Sequence, residues 1–197
     1  PEELKQQVVR FLGMAKVVEI GGEIVGLVSP HAGYIYSGAV AAYAYKQLKG
    51  KHFDTVIVVA PSHFEHIKGS SIYIKGAYET PLGIIPVDTE LAEKIVSNGK
   101  SVFASEKGHR QEHMSQREHS LEVQLPFLQE SIGNFSLVAI VMGGQSWEEI
   151  SDLGEAIAAS VEELTDKKVL IVASSDLSHF HNYNSALNLD GVVRKNI

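Results

Sequence analysis

The stretch TVIVVAPSH, Thr55 to His63, holds the first clue to the fold. Its first six residues are β-branched or apolar throughout, as in a strand covered on both faces. Pro61 then breaks the run, and the chain emerges at Ser62 and His63. Residues 23–29, 136–142 (SLVAIVM) and 168–174 (KVLIVAS) repeat the apolar character and read as further strands. Between them lie amphipathic segments. Residues 2–12 place Leu4, Val8, Phe11 and Leu12 on one helical face, and residues 38–48 follow Ser37 with Val40, Tyr43, Ala44 and Leu48 as the expected buried stripe. Asp88 or Thr89 opens a helix through Val96. Ser146 and Glu149 form a capping box ahead of Ile150, Leu153, Ile157 and Val161. Ser115 and Glu118 form a second one ahead of Leu121, Leu125 and Leu128, where Pro126 is expected to kink or end the helix. SIYIK and GIIPV read as two short strands around a Tyr-Glu-Thr-Pro turn, with Pro86 marking an edge. Buried strands alternating with amphipathic helices predict an α/β fold: a mostly parallel central sheet with helices on both faces.

Composition narrows the function. The chain has 197 residues, enough for one domain with a sizeable core. A net charge of -7 argues against a nucleic-acid surface. No apolar run approaches the roughly 20 residues of a membrane span. The absence of cysteine excludes disulfides and thiolate ligands within these residues and fits a cytoplasmic protein.

Three strands share a way of ending. One exits as Ser29-Pro30-His31, one as Pro61-Ser62-His63, and one as Ser175-Asp176-Leu177-Ser178-His179. In parallel strands these exits lie on one rim, the crevice where open α/β sheets bind ligands. The expectation is that His31, His63 and His179 converge. His119 stands in the first turn of the helix after Ser115, where the helix dipole disfavours its charged form. It can serve there as ligand or as acid and base. Glu118 has a sufficient role as cap partner, and Glu122 reads as solvated. His52, His66, His109, His113 and His181 read as surface or structural residues, and Tyr34 as packing first and a rim residue second. Neutral imidazoles bind iron, copper, zinc and nickel. Two histidines with one carboxylate suit non-haem iron(II); two or three such ligands with a water suit a zinc hydrolase. Asp176 is the candidate carboxylate, as ligand or as orienter of an imidazole. Serines near the histidines lack the Gly-x-Ser-x-Gly elbow, and there is no Gly-rich phosphate loop.

Four blocks, SPHAGYIYSGAVAAYAYKQL from Ser29, APSHF from Ala60, EHSLEVQLPFLQ from Glu118 and SSDLSHF from Ser174, resemble in order the signature blocks of the Memo family. That family is similar in fold to the LigB-like class III extradiol dioxygenases. The resemblance implies a LigB/Memo-like α/β domain over 1–197, with the C-terminal portion of the family domain and a short N-terminal stretch missing. It implies His31 and His63 as metal ligands and His179 as a histidine lining the same pocket. Asp176 and His119 belong to the same signature blocks and follow as pocket residues; in a catalytic reading His179 or His119 moves protons. Iron(II) is the implied metal, with copper and zinc as alternatives, and dioxygenase-like chemistry the implied activity. Family members that bind metal use a later cysteine as third protein ligand, which these residues do not contain. The ligand is expected to be a small molecule or peptide, and a pathway link to a radical-SAM protein is implied. The rivals are a non-catalytic module binding a peptide or small anion in the same cleft, and a zinc-dependent hydrolase.

Overall fold

A computed structural model describes residues 1–109 and 118–196. Among the described residues six strands form the main sheet: β1 (Gly26–Ser29), β2 (Thr55–Pro61), β3 (Ser70–Tyr73), β6 (Val102–Ala104), β7 (Ser136–Met142) and β8 (Val169–Ser174). A separate two-stranded hairpin joins β4 (Ala77–Thr80) to β5 (Gly83–Pro86). The main sheet runs β1-β8-β2-β7-β3-β6. β1, β8, β2 and β7 are mutually parallel; β3 runs antiparallel to β7 and carries β6 parallel to itself.

Helices cover both faces. On one side α1 (Glu2–Met14), α2 (Tyr34–Lys46) and α4 (Leu125–Ile132) pack on Val56, Val58, Leu137, Ala139 and Leu170. On the other, α3 (Thr89–Asn98) and α5 (Trp147–Glu162) pack on Ile57, Ile72, Val138 and Ile140. Neighbouring residues of β2 thus point into different cores, which is why TVIVVA shows no polar alternation. The α5 capping box forms as expected: Ser146 Oγ accepts from Glu149 N, and the Glu149 carboxylate accepts from Ser146 N. Asp88 caps α3 by accepting from Leu91 N at 3.1 Å. A sixth helix, α6 (Tyr183–Arg194), has no buried residue. No helix among the described residues is long and apolar enough to cross a membrane.

Several elements differ from the sequence reading. The hairpin pairs Thr80 with Gly83, so Tyr78-Glu79-Thr80 is strand and the turn falls at Pro81-Leu82. Thr80 Oγ1 accepts from Leu82 N at 3.0 Å and holds that turn. Gly76, at φ 78°, breaks the chain away from β3 first. The strand β6 is too short, at three residues, to leave a periodic trace.

Helix α2 begins at Tyr34, and Ser37 is its fourth residue, donating to Ala32 O at 2.7 Å. Its buried face is Ser37, Gly38, Ala41, Ala42 and Tyr45, while Val40 and Tyr43 are exposed. Apolar residues surround this helix, so periodicity does not pick a face; close approach to α1 does. A Cβ on Gly38 would lie 2.7 Å from the Phe11 ring. Pro126 kinks nothing. It occupies the first turn of α4, where no intrahelical N–H is required. The residues before it form a separate 3-10 turn, Glu122–Gln124, with His119 ahead of that turn. Ser115 and His113 lie outside the described residues.

Candidate metal centre

The register explains why the strand-end residues meet. Ser29 pairs with Ser174 across β1 and β8, and Val59 pairs with Ala173 across β8 and β2. Three neighbouring parallel strands therefore end level, about 4.8 Å apart. His31 and Asp176 each follow their paired serine by two residues. From Pro61, at the end of β2, two residues lead to His63. The segment from Glu118 to Gln124 closes over this rim, with Ser120 Oγ donating to Pro61 O at 2.6 Å and Gln124 Nε2 to Pro30 O at 3.0 Å.

Three imidazoles come together there. The ring centroids of His31 and His63 are 5.2 Å apart, those of His63 and His119 5.1 Å, and those of His31 and His119 6.1 Å. The structure thus brings His31, His63 and His119 into one cluster with Asp176 beside it. The Asp176 Oδ2 lies 3.6 Å from His31 Nε2, and its Oδ1 accepts from the backbone N–H of His31 at 2.6 Å and of Ala32 at 3.0 Å. Asp176 therefore holds the His31 loop from inside.

His179 is not part of this ring cluster. It is exposed, its Nδ1 lies 3.0 Å from Leu177 O, and its ring rests on Phe180. Leu177 and Phe180 both have left-handed backbone, at φ 57° and 61°. Such turns at non-glycine residues cost on the order of 1–3 kcal/mol. Ser178 N donates to Asp190 Oδ1 at 3.0 Å, tying the segment to α6.

Glu118 is the residue whose role the sequence concealed. Instead of simply completing a helix cap, it binds His63 twice. Its Oε2 accepts from His63 N at 2.5 Å, and its Oε1 from His63 Nδ1 at 2.9 Å. Oε1 also accepts from His119 N at 3.0 Å and Ser120 N at 3.1 Å. Burial pushes this carboxyl up, but the donors from His63 and Ser120 outweigh it and hold it at about 2. An ionised carboxylate only accepts, so His63 carries its proton on Nδ1 and turns its Nε2 lone pair outward. That carboxylate–histidine pairing is how proteins orient an imidazole toward a metal. Burial lowers the pKa of His31, 5% exposed, against the pull of Asp176, and the neighbouring His63 and His119 lower it further.

Among the described residues, His63, Glu118 and His119 form a group able to hold a metal ion, with donor atoms all within 4.8 Å of one another. Glu118 already accepts from four N–H groups, so its chemistry favours orienting His63 over direct ligation. The other candidates have packing roles. Tyr34 donates to Val123 O at 2.7 Å and packs edge-on against Phe127. His109 has its Nε2 3.2 Å from Ser71 O and its Nδ1 against the Tyr78 hydroxyl, and burial lowers it to about 4.

The sequence profile described as Memo-like protein matches residues 1–197. The chain belongs to the Memo family. It is 38% identical over 168 residues to a MEMO1 family protein of Nitrosopumilus maritimus, covering 85% of this chain and 58% of the relative. A MEMO1 family protein of Methanobrevibacter smithii is 40% identical over 174 residues, 88% of this chain and 59% of the relative. One from Thermotoga maritima is 40% identical over 171 residues, 86% and 58% respectively. The chain thus spans less than two thirds of the length of these Memo relatives.

Proposed function

We propose that this Memo-family chain uses its strand-end cleft to bind a metal ion, iron(II) first, with copper or zinc as the alternatives. The observation that carries this is the close cluster of His31, His63 and His119, with ring centroids 5.1 to 6.1 Å apart. Two of these rings are held in place from behind by buried or half-buried partners. Imidazole nitrogen with a nearby carboxylate suits iron(II) with open positions. In this reading His31 and His63 hold the metal and His119 is a third imidazole facing it. A metal bound there would supply Lewis acidity or, as iron(II), a redox centre for dioxygenase-like chemistry. Glu118 keeps the His63 lone pair directed into the cleft. Asp176 holds the His31 backbone and sets a negative charge beside the site, favouring a cation. His119 and the exposed His179 are the candidates to move protons to or from a small-molecule or peptide ligand.

The test is metal content after anaerobic expression of the full chain. About one equivalent of metal is expected in the wild type, and little in His31→Ala and His63→Ala variants that remain folded. A wild type with no stoichiometric metal rejects the reading and leaves a cleft that binds its ligand through the imidazoles alone. Metal retained by both variants moves the site elsewhere.

A further inference from the structure

Behind His31 lies a chain of buried polar groups, of which the metal reading uses only the contact of Ser174 with the ring. Tyr45 and Ser120 are wholly buried, Gln124 is 1% exposed and Ser174 6%. Burying so many polar groups is unfavourable unless each is satisfied. Tracing the hydrogens shows that they are, in one way only.

Ser174 Oγ lies 2.6 Å from Ser120 O, 2.9 Å from Gln124 Nε2 and 2.9 Å from His31 Nδ1. The carbonyl can only accept, so the one hydroxyl proton of Ser174 goes to Ser120 O. The amide of Gln124 is oriented by carbonyls as well. Its Nε2 lies 3.0 Å from Pro30 O and 3.3 Å from Ser120 O, and its Oε1 accepts from the Tyr45 hydroxyl at 2.6 Å. Nε2 is therefore the end that faces Ser174. With its proton committed, Ser174 can only accept from His31. His31 must therefore carry a proton on Nδ1, so the neutral ring has its lone pair on Nε2, the atom 3.6 Å from Asp176 Oδ2. The reverse tautomer would set two lone pairs against each other, either at Ser174 and Ser120 or at Ser174 and His31.

We infer that Gln124 and Ser174 are positioning residues that lock His31 as its Nδ1–H tautomer and thereby present Nε2 to the cleft. The value of that lone pair for metal binding rests on the function proposed above; the tautomer itself does not. His63 reaches the same state by a different device, the Glu118 carboxylate. The cleft thus has two imidazoles preset before any ligand arrives, one by a charged partner and one by a neutral buried relay. Gln124 lies 50 residues from Ser174 in sequence, and Ser174 lies 143 from His31.

The experiment uses the full chain, labelled with 15N at histidine and free of metal, at neutral pH. Two-bond 1H–15N correlation reads the tautomer, and a His31→Asn variant assigns the His31 signals. The wild type is expected to show Nδ1–H at His31. Ser174→Ala is expected to release it toward Nε2–H, and Ser174→Thr, which keeps the hydroxyl, to restore Nδ1–H. Gln124→Met, which removes the amide at nearly constant volume, should loosen the preference in the same direction. In parallel, cobalt(II) titration should show dissociation constants raised roughly 10- to 100-fold in Ser174→Ala and rescued in Ser174→Thr. An Nε2–H or doubly protonated His31 in the wild type overturns the inference. So does an unchanged tautomer in a folded Ser174→Ala protein, or an unchanged cobalt affinity there when the wild type binds cobalt. A wild type that shows Nδ1–H yet takes up no cobalt supports the relay and rejects the metal reading alone.

Discussion

Replacing Glu118 by glutamine tests the geometry of the cleft without requiring a bound ligand. The Glu118 carboxyl is held at about 2, against an ordinary 4.5. At 1.36 kcal/mol per pH unit, the folded state prefers the ionised form by about 3 kcal/mol. The Glu118 side chain is only 7% exposed, so solvent screening does little to reduce this. Its pKa is depressed in the folded state. The stabilisation is therefore complete above about pH 4.5 and is lost as pH falls toward 2. In Glu118→Gln one oxygen becomes an NH2 group facing N–H donors, so the variant should be less stable by about 3 kcal/mol at pH 7. By pH 3 the wild type has lost about 2 kcal/mol of that advantage, and the gap between the two proteins should narrow by this amount. Urea denaturation with chelator present, at pH 7, 5, 4 and 3, measures the gap. Other titrating carboxylates act on both proteins and cancel in the difference. A gap below about 1 kcal/mol at pH 7, or one that stays constant down to pH 3, would refute the assignment of Glu118 as the ionised partner of His63.

Two stability predictions probe the scaffold that carries the rim. A Cβ on Gly143, just past β7, would fall 2.0 Å from the backbone carbonyl oxygen of Ile67, which cannot swing aside. Gly143→Ala should therefore destabilise by about 3 kcal/mol and lower Tm by roughly 6–12 °C in thermal melts followed by circular dichroism. Ser146→Ala removes the α5 capping box on the same side of the sheet. It should cost about 1 kcal/mol, roughly 2–4 °C in Tm, while leaving metal content at the wild-type level.

The class of the fold was legible because local patterns carried it. Unbroken apolar runs at 55–60 and 136–142 mean strands with two covered faces, and only helices on both sides provide that cover. The Ser146 box was legible because both partners lie within four residues. The α2 face was not, because its apolar residues surround the helix and the choice was made by where α1 could come close. The role of Pro126 turned on where the helix begins, which the pattern Leu121, Leu125, Leu128 does not mark. The hairpin register depended on Gly76 and Thr80 placing the turn two residues later than the Tyr-Glu-Thr-Pro signal suggests.

By itself the sequence determined that apolar strands end in histidines, at His31 and His63, and that such ends gather on one rim if the strands are parallel. It also carried the ordered blocks of the Memo family. Only the tertiary structure decided which groups complete the cluster. His119 enters it because the chain from Glu118 to Gln124 is pinned across the rim at Pro61 and Pro30. His179 is turned out of the ring cluster by the left-handed backbone at Leu177. Glu118, Ser174 and Gln124 acquire their roles through hydrogen bonds to partners 50 or more residues away. A hydrogen bond depends on distance and direction in space, and no local spacing of residues records it.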